Sequence, residues 1–319
     1  MLCQDRVVGR HGIPLAELSS MRPYRVHLFG FPLGHTVSPA MHHAAASELG
    51  FRLEYTAVQV MSEGLAAEVE RLRDDAFLGA NVTLPHKPAM LTLVDSITTS
   101  AQRIRAINTV YKRDNALIGE NTDAPAMMRC LREMLAYQPH EESVVLLGAG
   151  GAARAAAVAL LDAGTRQLRI WNRTRDRSAE LVAGLHQLKA DNEATVQLVG
   201  EGELDTVLNN STMVINATSV GLDRTTVPFD VSQLASGARV FDMVYGPEAT
   251  PLVREARIAG IQALDGLWML VYQAAAAFTL WTGLEPPEHV MHEAALAALH
   301  ARNTAQQDVP HAPASEARP

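Results

Sequence analysis

The chain has 319 residues and a net charge of −8, from 27 Lys and Arg against 35 Asp and Glu. That length suggests about two domains; 48% hydrophobic residues make a folding composition rather than a disordered one, and the acidic balance argues against a general binder of nucleic acid or anionic membranes. The two cysteines, Cys3 and Cys130, cannot form a disulfide framework or a thiolate zinc site and point to a reducing compartment.

The expected elements alternate in type. Residues 1–22 carry no periodicity and read as a loose extension. Residues 24–30 (YRVHLFG) read as a strand entering a glycine turn. Ser38-Pro39 opens a helix, with a capping hydroxyl and then proline at the first helical position. Met41, Ala45 and Leu49 give it an apolar stripe, and Gly50 ends it. A strand over 55–58 and a helix over 66–73 follow. Residues 79–84 form a strand cut off by Pro85, and 108–111 and 117–119 are short strands. The continuous apolar run 144–147 predicts a parallel strand covered on both faces. It runs into Gly148-Ala149-Gly150-Gly151-Ala152-Ala153 and an Ala/Leu-rich helix closed by Gly164. Strands at 168–171, 213–217 and 240–243 and helices at 266–282 and 287–300 complete an open α/β pattern with right-handed crossovers. From Arg302 the chain is polar and ends among Pro310, Pro313 and Pro319, which predicts a disordered tail.

The longest apolar stretch, residues 267–281, holds Gln273 and falls short of the about 20 residues that span a bilayer. The start, MLCQDRVVGRHG, lacks the apolar block of a signal peptide. A soluble cytoplasmic protein is expected.

Several groups carry chemistry. Gly148-x-Gly150-x-x-Ala153 between a buried strand and a helix is a dinucleotide fingerprint in its proper context. Its glycines permit close backbone approach, and the helix N-terminus faces a pyrophosphate. An acidic residue after the next strand would mark a free ribose 2′-hydroxyl. Here stand Asn172, Arg173, Thr174, Arg175 and Arg177, which suit a 2′-phosphate, with Asp176 as a counter-signal. Thr36 and Ser38 put two hydroxyls at a helix start, a plausible carboxylate seat as well as a plain cap. Lys87, held between Pro85 and Pro88, and Asp123, in Glu120-Asn121-Thr122-Asp123, are each ordinary surface residues alone and an acid/base pair if neighbours. His289-x-x-His292-Glu293 is neither zinc-helix pattern, so no metal is expected. Ala217-Thr218-Ser219-Val220-Gly221 lacks the first glycine of a nucleophile elbow.

Taken together the motifs resemble those of shikimate dehydrogenases. The carriers are GFPLGHTVSPAMH from Gly30, NVTLPHK from Asn81, AINT from Ala106, NTD from Asn121, GAGGA from Gly148 and NRT from Asn172. They continue with NATS from Asn216, DMVY from Asp242 and QAAxxFxLWTG from Gln273, one colinear series. The resemblance implies NADP-dependent reversible reduction of 3-dehydroshikimate to shikimate. It also implies a Rossmann-type domain (126–264) inserted into an α/β substrate domain (24–125 with helices at 265–301), flanked by an extension (1–23) and a tail (302–319).

Carried over by position, the resemblance makes Lys87 the acid/base and Asp123 its partner on the ring hydroxyls. Thr36, Ser38 and Tyr245 would hold the carboxylate of a small-molecule substrate, and Thr83, Asn108 and Gln273 its hydroxyls. Gly148, Ala149, Gly150, Gly151 and Ala152 would hold the pyrophosphate, and Asn172, Arg173, Thr174 and Arg177 the ribose phosphate. Thr218, Ser219, Met243 and Gly266 would border the rest of the cofactor. Three positions depart from the pattern: Thr36 stands for serine, Ala124 for glycine, and Trp268 for a small residue expected near cofactor and substrate. They leave quinate or an aminated analogue as alternatives. A non-catalytic NADP-binding regulator is the alternative from another class, with a monomer or homodimer expected in each case.

Overall fold

The structure, a computed structural model, describes residues 23–34, 36–188 and 194–307. The extension expected at 1–22, Cys3, His35 and the tail beyond 307 lie outside the described residues. Two six-stranded sheets organise the rest.

The first sheet holds β1 (Tyr24–Gly30), β2 (Leu53–Gln59), β3 (Phe77–Val82), β4 (Ser96–Ile97), β5 (Thr109–Arg113) and β6 (Ala116–Glu120), in the order β2-β1-β3-β5-β6-β4. β1 pairs parallel with β2 and β3, whereas β5 runs antiparallel to β3 and β6. β3 is buried along its whole length, as a central strand covered on both faces must be. Helices α1 (Ser38–Glu48), α2 (Leu65–Arg71) and α3 (Thr99–Ile104) belong to this half.

After α4 (Asp123–Glu133) comes the second sheet: β7 (Ser143–Leu147), β8 (Gln167–Trp171), β9 (Thr195–Leu198), β10 (Met213–Asn216), β11 (Arg239–Asp242) and β12 (Gln262–Leu264). All its pairings are parallel, in the order β12-β11-β10-β7-β8-β9. The order reverses between β7 and β10, and such a switch point opens a crevice at the carboxyl ends of the strands. Its helices are α5 (Gly151–Asp162), α6 (Arg175–Leu188), α7 (Leu204–Asn209) and α8 (Pro251–Ile258). Then α9 (Leu267–Thr282) and α10 (Glu288–Gln307) return to the first sheet, where Val271, Phe278, Met291, Ala295 and Leu299 share a core with Val26, Met41 and Tyr55.

The expected strands and helices are present with shifted ends, and three differences matter. No helix is expected at 123–133, yet α4 is there: Pro125 lies in its first turn, where the missing N–H is not needed. Helix α10 runs to Gln307, so residues 302–307 are helical rather than tail. The arginines after β8 do not all lie in a loop, because α6 begins at Arg175. No helix among the described residues is long and apolar enough to cross a membrane.

Candidate active site

The site begins where β3 ends. The chain passes Thr83 and a cis Leu84–Pro85 bond to Lys87, whose carbonyl accepts from the Ile107 amide at 2.9 Å. His86 is buried, with Nε2 2.6 Å from the Val60 carbonyl. Lys87 Nζ donates to Asp123 Oδ2 at 2.6 Å, and the two side chains are only 18% and 14% exposed. Asp123 is the first residue of α4, where the helix dipole favours a carboxylate. Asn121 Oδ1 accepts the Asp123 and Ala124 N–H groups at 3.1 and 3.2 Å and so fixes that helix start.

Behind the pair lies a buried chain of amides and hydroxyls. Asn108 Nδ2 donates to Asp123 Oδ1 at 2.8 Å, and Asn108 Oδ1 accepts the Thr122 N–H at 2.8 Å and the Thr109 hydroxyl at 3.1 Å. Asn81 Nδ2 donates to Thr109 Oγ1 at 3.1 Å, and the Tyr55 hydroxyl donates to Asn81 Oδ1 at 2.8 Å. Burial pushes the Tyr55 phenol well up, so it stays a donor. His42 stacks on Tyr55 with ring centroids 4.4 Å apart, and neither of its nitrogens has a hydrogen-bond partner among the described residues. Desolvation takes its pKa down to about 3; His43 adds to the drop and the Asn81 amide opposes it. Of these residues the sequence assigns a role only to Asn108. Tyr55 sits on a strand with no motif signal, and Asn81 is visible only as the first residue of NVTLPHK.

Thr36 and Ser38 face the same cavity as the pair, but Ser38 is not the helix cap. The N-cap is Val37, and Ser38 is already helical; its N–H donates to Thr36 Oγ1 at 3.2 Å, and the Thr36 hydroxyl donates to Ser38 Oγ at 3.1 Å. The Thr36 hydroxyl thus holds both the N–H and the hydroxyl oxygen of Ser38, and no side chain bonds to the helix start from the N-cap itself. The cavity, about 400 Å³, is also lined by Thr83 and Asn108.

The opposite wall brings Ala152, Met243, Tyr245, Gly266 and Gln273 to this cavity. Met243 and Tyr245 follow β11, whose last residue, Asp242, is fully buried. Asp242 accepts from the Thr250 hydroxyl at 2.6 Å, from Asn216 Nδ2 at 2.8 Å and from the Val244 N–H at 3.1 Å, and so shapes this turn. Burial raises its pKa, and these hydrogen bonds oppose the rise. A Cβ on Gly266 would overlap the Met243 carbonyl, so glycine is required for the two segments to meet. Gln273 Nε2 is turned to the Leu270 carbonyl at 2.8 Å. Arg302, expected in the tail, lines this cavity from α10.

The remaining sequence-predicted residues lie outside the cavity lining, along the carboxyl ends of neighbouring parallel strands. Gly148 follows β7 with φ 113°, and a Cβ there would sit 2.8 Å from the Ala217 carbonyl oxygen. A Cβ on Gly150 or Gly151 would meet no protein atom within 4 Å, so the N-terminus of α5 is open to a ligand. Ala149 precedes that helix start. The Gly148 amide donates to the Trp171 carbonyl at 2.8 Å, which sets the Asn172–Arg177 segment beside the glycine turn. Asn172 Nδ2 donates to the Thr174 carbonyl at 2.8 Å, and Arg173, Thr174 and Arg177 are exposed. After β10, the Thr218 hydroxyl donates to Asn216 Oδ1 at 2.6 Å, and Ser219 is exposed.

Trp268 follows Leu267 at the start of α9. Its ring stacks on His292 at 4.3 Å and packs near Tyr272, outside the cavity lining. Ala124 is buried in the core between α4 and the second sheet. Of the three departures, only Thr36 touches the cavity. Cys130 is buried, which pushes its thiol up to about 12 and leaves it a packing residue.

Comparison with known proteins finds matches in both halves of the molecule. Family models for the shikimate dehydrogenase substrate binding domain, shikimate/quinate 5-dehydrogenase and the shikimate 5′-dehydrogenase C-terminal domain match residues 28–110, 131–226 and 266–296. A shikimate dehydrogenase (NADP(+)) of Citrifermentans bemidjiense is 39% identical over 85% of this chain and 94% of its own. The Thermus thermophilus shikimate 5-dehydrogenase, solved with NADP(H) and shikimate, is 36% identical with a TM-score of 0.76, covering 86% of this chain and all of that one. The Corynebacterium glutamicum quinate dehydrogenase, solved with NAD, is 31% identical with a TM-score of 0.79, covering 86% of this chain and 99% of that one. With both walls of the cleft matched and relatives aligned over nearly their full lengths, the chain belongs to the shikimate dehydrogenase family.

Proposed function

We propose that this chain interconverts 3-dehydroshikimate and shikimate with NADP. The observation that carries the reading is the Lys87–Asp123 pair, 2.6 Å apart in a cleft that also presents the hydroxyls of Thr36, Ser38 and Tyr245. The residues present fit NADP. The α5 N-terminus is clear of side chains at Gly150 and Gly151, and Arg173 and Arg177, with no acidic residue directly after β8, suit a 2′-phosphate.

NADP, when bound, supplies or accepts the hydride. Lys87 then has the proton: in reduction its ammonium gives a proton to the substrate oxygen as negative charge develops there, and in oxidation the neutral amine takes it back. Asp123 holds that ammonium in place and, with Asn108, is set to bond the neighbouring ring hydroxyls. Thr36, Ser38 and Tyr245 orient the ring by its carboxylate, and Thr83 and Gln273 take further hydroxyls. Met243 and Gly266 flank the nicotinamide side, and Thr218 and Ser219 border the cofactor further along. We assign residues 24–125 with 265–307 to substrate binding and 126–264 to the nucleotide, a division supported by the membership of the two sheets.

The test is a comparison of kcat/KM for shikimate, quinate and aminoshikimate, each with NADP and NAD. Shikimate with NADP is expected to be the best pair. A preference for quinate with NAD would overturn the substrate and cofactor reading, and NADP binding with no turnover would favour a regulator.

A further inference from the structure

Helix α10 buries Met291, Ala295 and Leu299 against the core that contains α1. These residues are spaced four apart and form one stripe, which the next turn continues at position 302. Beyond Leu299 that stripe leaves the core and meets the cleft, and the residue there is Arg302, which lines the cavity with Thr36, Ser38 and Tyr245. A long guanidinium side chain can lay its stem on the apolar rim and keep its charged head in the cleft. The helix end is also tied across the cleft. Asn303 Oδ1 accepts from Arg224 Nη1 at 2.8 Å, and Arg224 lies in the segment after β10 on the nucleotide side.

Arg302 brings a positive charge to the cavity lining. Among the described residues that lining holds three ionised side chains: Lys87, Asp123 and Arg302. Lys87 and Asp123 are ion-paired and cancel. Thr36, Ser38 and Tyr245 offer a carboxylate only neutral hydroxyls, although moving an anion out of water calls for a cation or several strong donors. The Arg302 charge is also felt at Tyr245, where it opposes the rise that burial gives the phenol.

We propose that Arg302 is a specificity-determining residue whose guanidinium supplies the positive charge for the substrate carboxylate. This rests on the reading that the substrate is a ring carboxylate of the shikimate type. An interaction present equally in the ground state and transition state changes KM rather than kcat.

The experiment uses the full chain with NADP at saturation and compares wild type, Arg302→Met and Arg302→Lys across ionic strength. Arg302→Met is expected to raise KM for shikimate about 10-fold with kcat nearly unchanged, and to flatten the fall of kcat/KM with added salt. Arg302→Lys, which keeps the charge, should recover most of that salt dependence, and KM for NADP should stay the same throughout. Arg302 is exposed, so the unfolding midpoint should not move. If wild type turns over shikimate and Arg302→Met matches it in KM and salt response, the Arg302 assignment is overturned and the functional reading stands. If wild type turns over no ring carboxylate, the functional reading fails and takes the assignment with it.

Discussion

On the first-sheet wall of the cleft, from Tyr55 through Asn81, Thr109 and Asn108 to Asp123 and Lys87, each polar side chain is held by the next. On the second-sheet wall, Arg173, Thr174 and Arg177 stand exposed beside the glycine turn, and Gly150 and Gly151 leave backbone open. The first arrangement is a preorganised network: its groups already hold one another in place, and disturbing one member leaves others buried and unpaired. The second is modular, with separate donors that order themselves on a ligand and can be removed almost independently. Chemistry is expected to be sensitive on one wall, and cofactor choice adjustable on the other.

The largest effect should come from Lys87. Lys87→Ala is expected to lower kcat by about 10²–10⁴-fold, the usual contribution of a placed acid/base, while NADPH affinity in a fluorescence titration stays near wild type. A matching loss of cofactor affinity would show that the two walls are not separable. Next in size, Arg173→Ala with Arg177→Ala should weaken NADPH by about 10- to 150-fold and leave NADH almost unaffected. The single substitutions should sum to the double. If both cofactors bind the double variant as they do wild type, the 2′-phosphate lies elsewhere.

Within the network, Asn108→Ala removes the acceptor of the Thr122 N–H and the Thr109 hydroxyl as well as the donor to Asp123. It should cost about 1–3 kcal/mol in denaturant unfolding and also reduce turnover. Ser38→Ala makes the contrast. Because Val37 and Thr36 form the helix start, its stability should stay within about 0.5 kcal/mol of wild type. A pH-dependent effect sits behind the network. The folded-state pKa of His42, about 3, lies below its ordinary 6.5, so burying the neutral ring contributes stability present above pH 6.5. That stability is lost as the pH falls toward 3. His42→Phe keeps a ring against Tyr55 and Phe278, and its unfolding midpoint should fall less than that of wild type over this window.

The same contrast explains what could be read from the sequence. Strand-end motifs were legible because their residue types are forced: Gly148 by its φ and by the Ala217 carbonyl, and Gly266 by the Met243 carbonyl. Lys87 and Asp123 could be named but not placed together, because antiparallel pairing through β5 and β6 brings them to one point across 36 residues. Local pattern misled at Ser38, where Ser-Pro looks like a cap but the N-cap is Val37 and Ser38 is already helical. Arg302 was hidden by composition. Polar residues after His300 resemble a tail, although no proline interrupts the helix before Pro310, and the stripe through Leu299 carries on to it.

The central claim is that Lys87 and Asp123 act as one unit, and a double-mutant cycle on hydride transfer tests it most directly. Single-turnover rates for shikimate and NADP would be measured in wild type, Lys87→Ala, Asp123→Asn and the double variant. The account predicts that each single substitution slows transfer and that the double is little slower than Lys87→Ala alone, since a partner has nothing to hold once the amine is gone. Losses that multiply, or a Lys87→Ala rate near that of wild type, would contradict it.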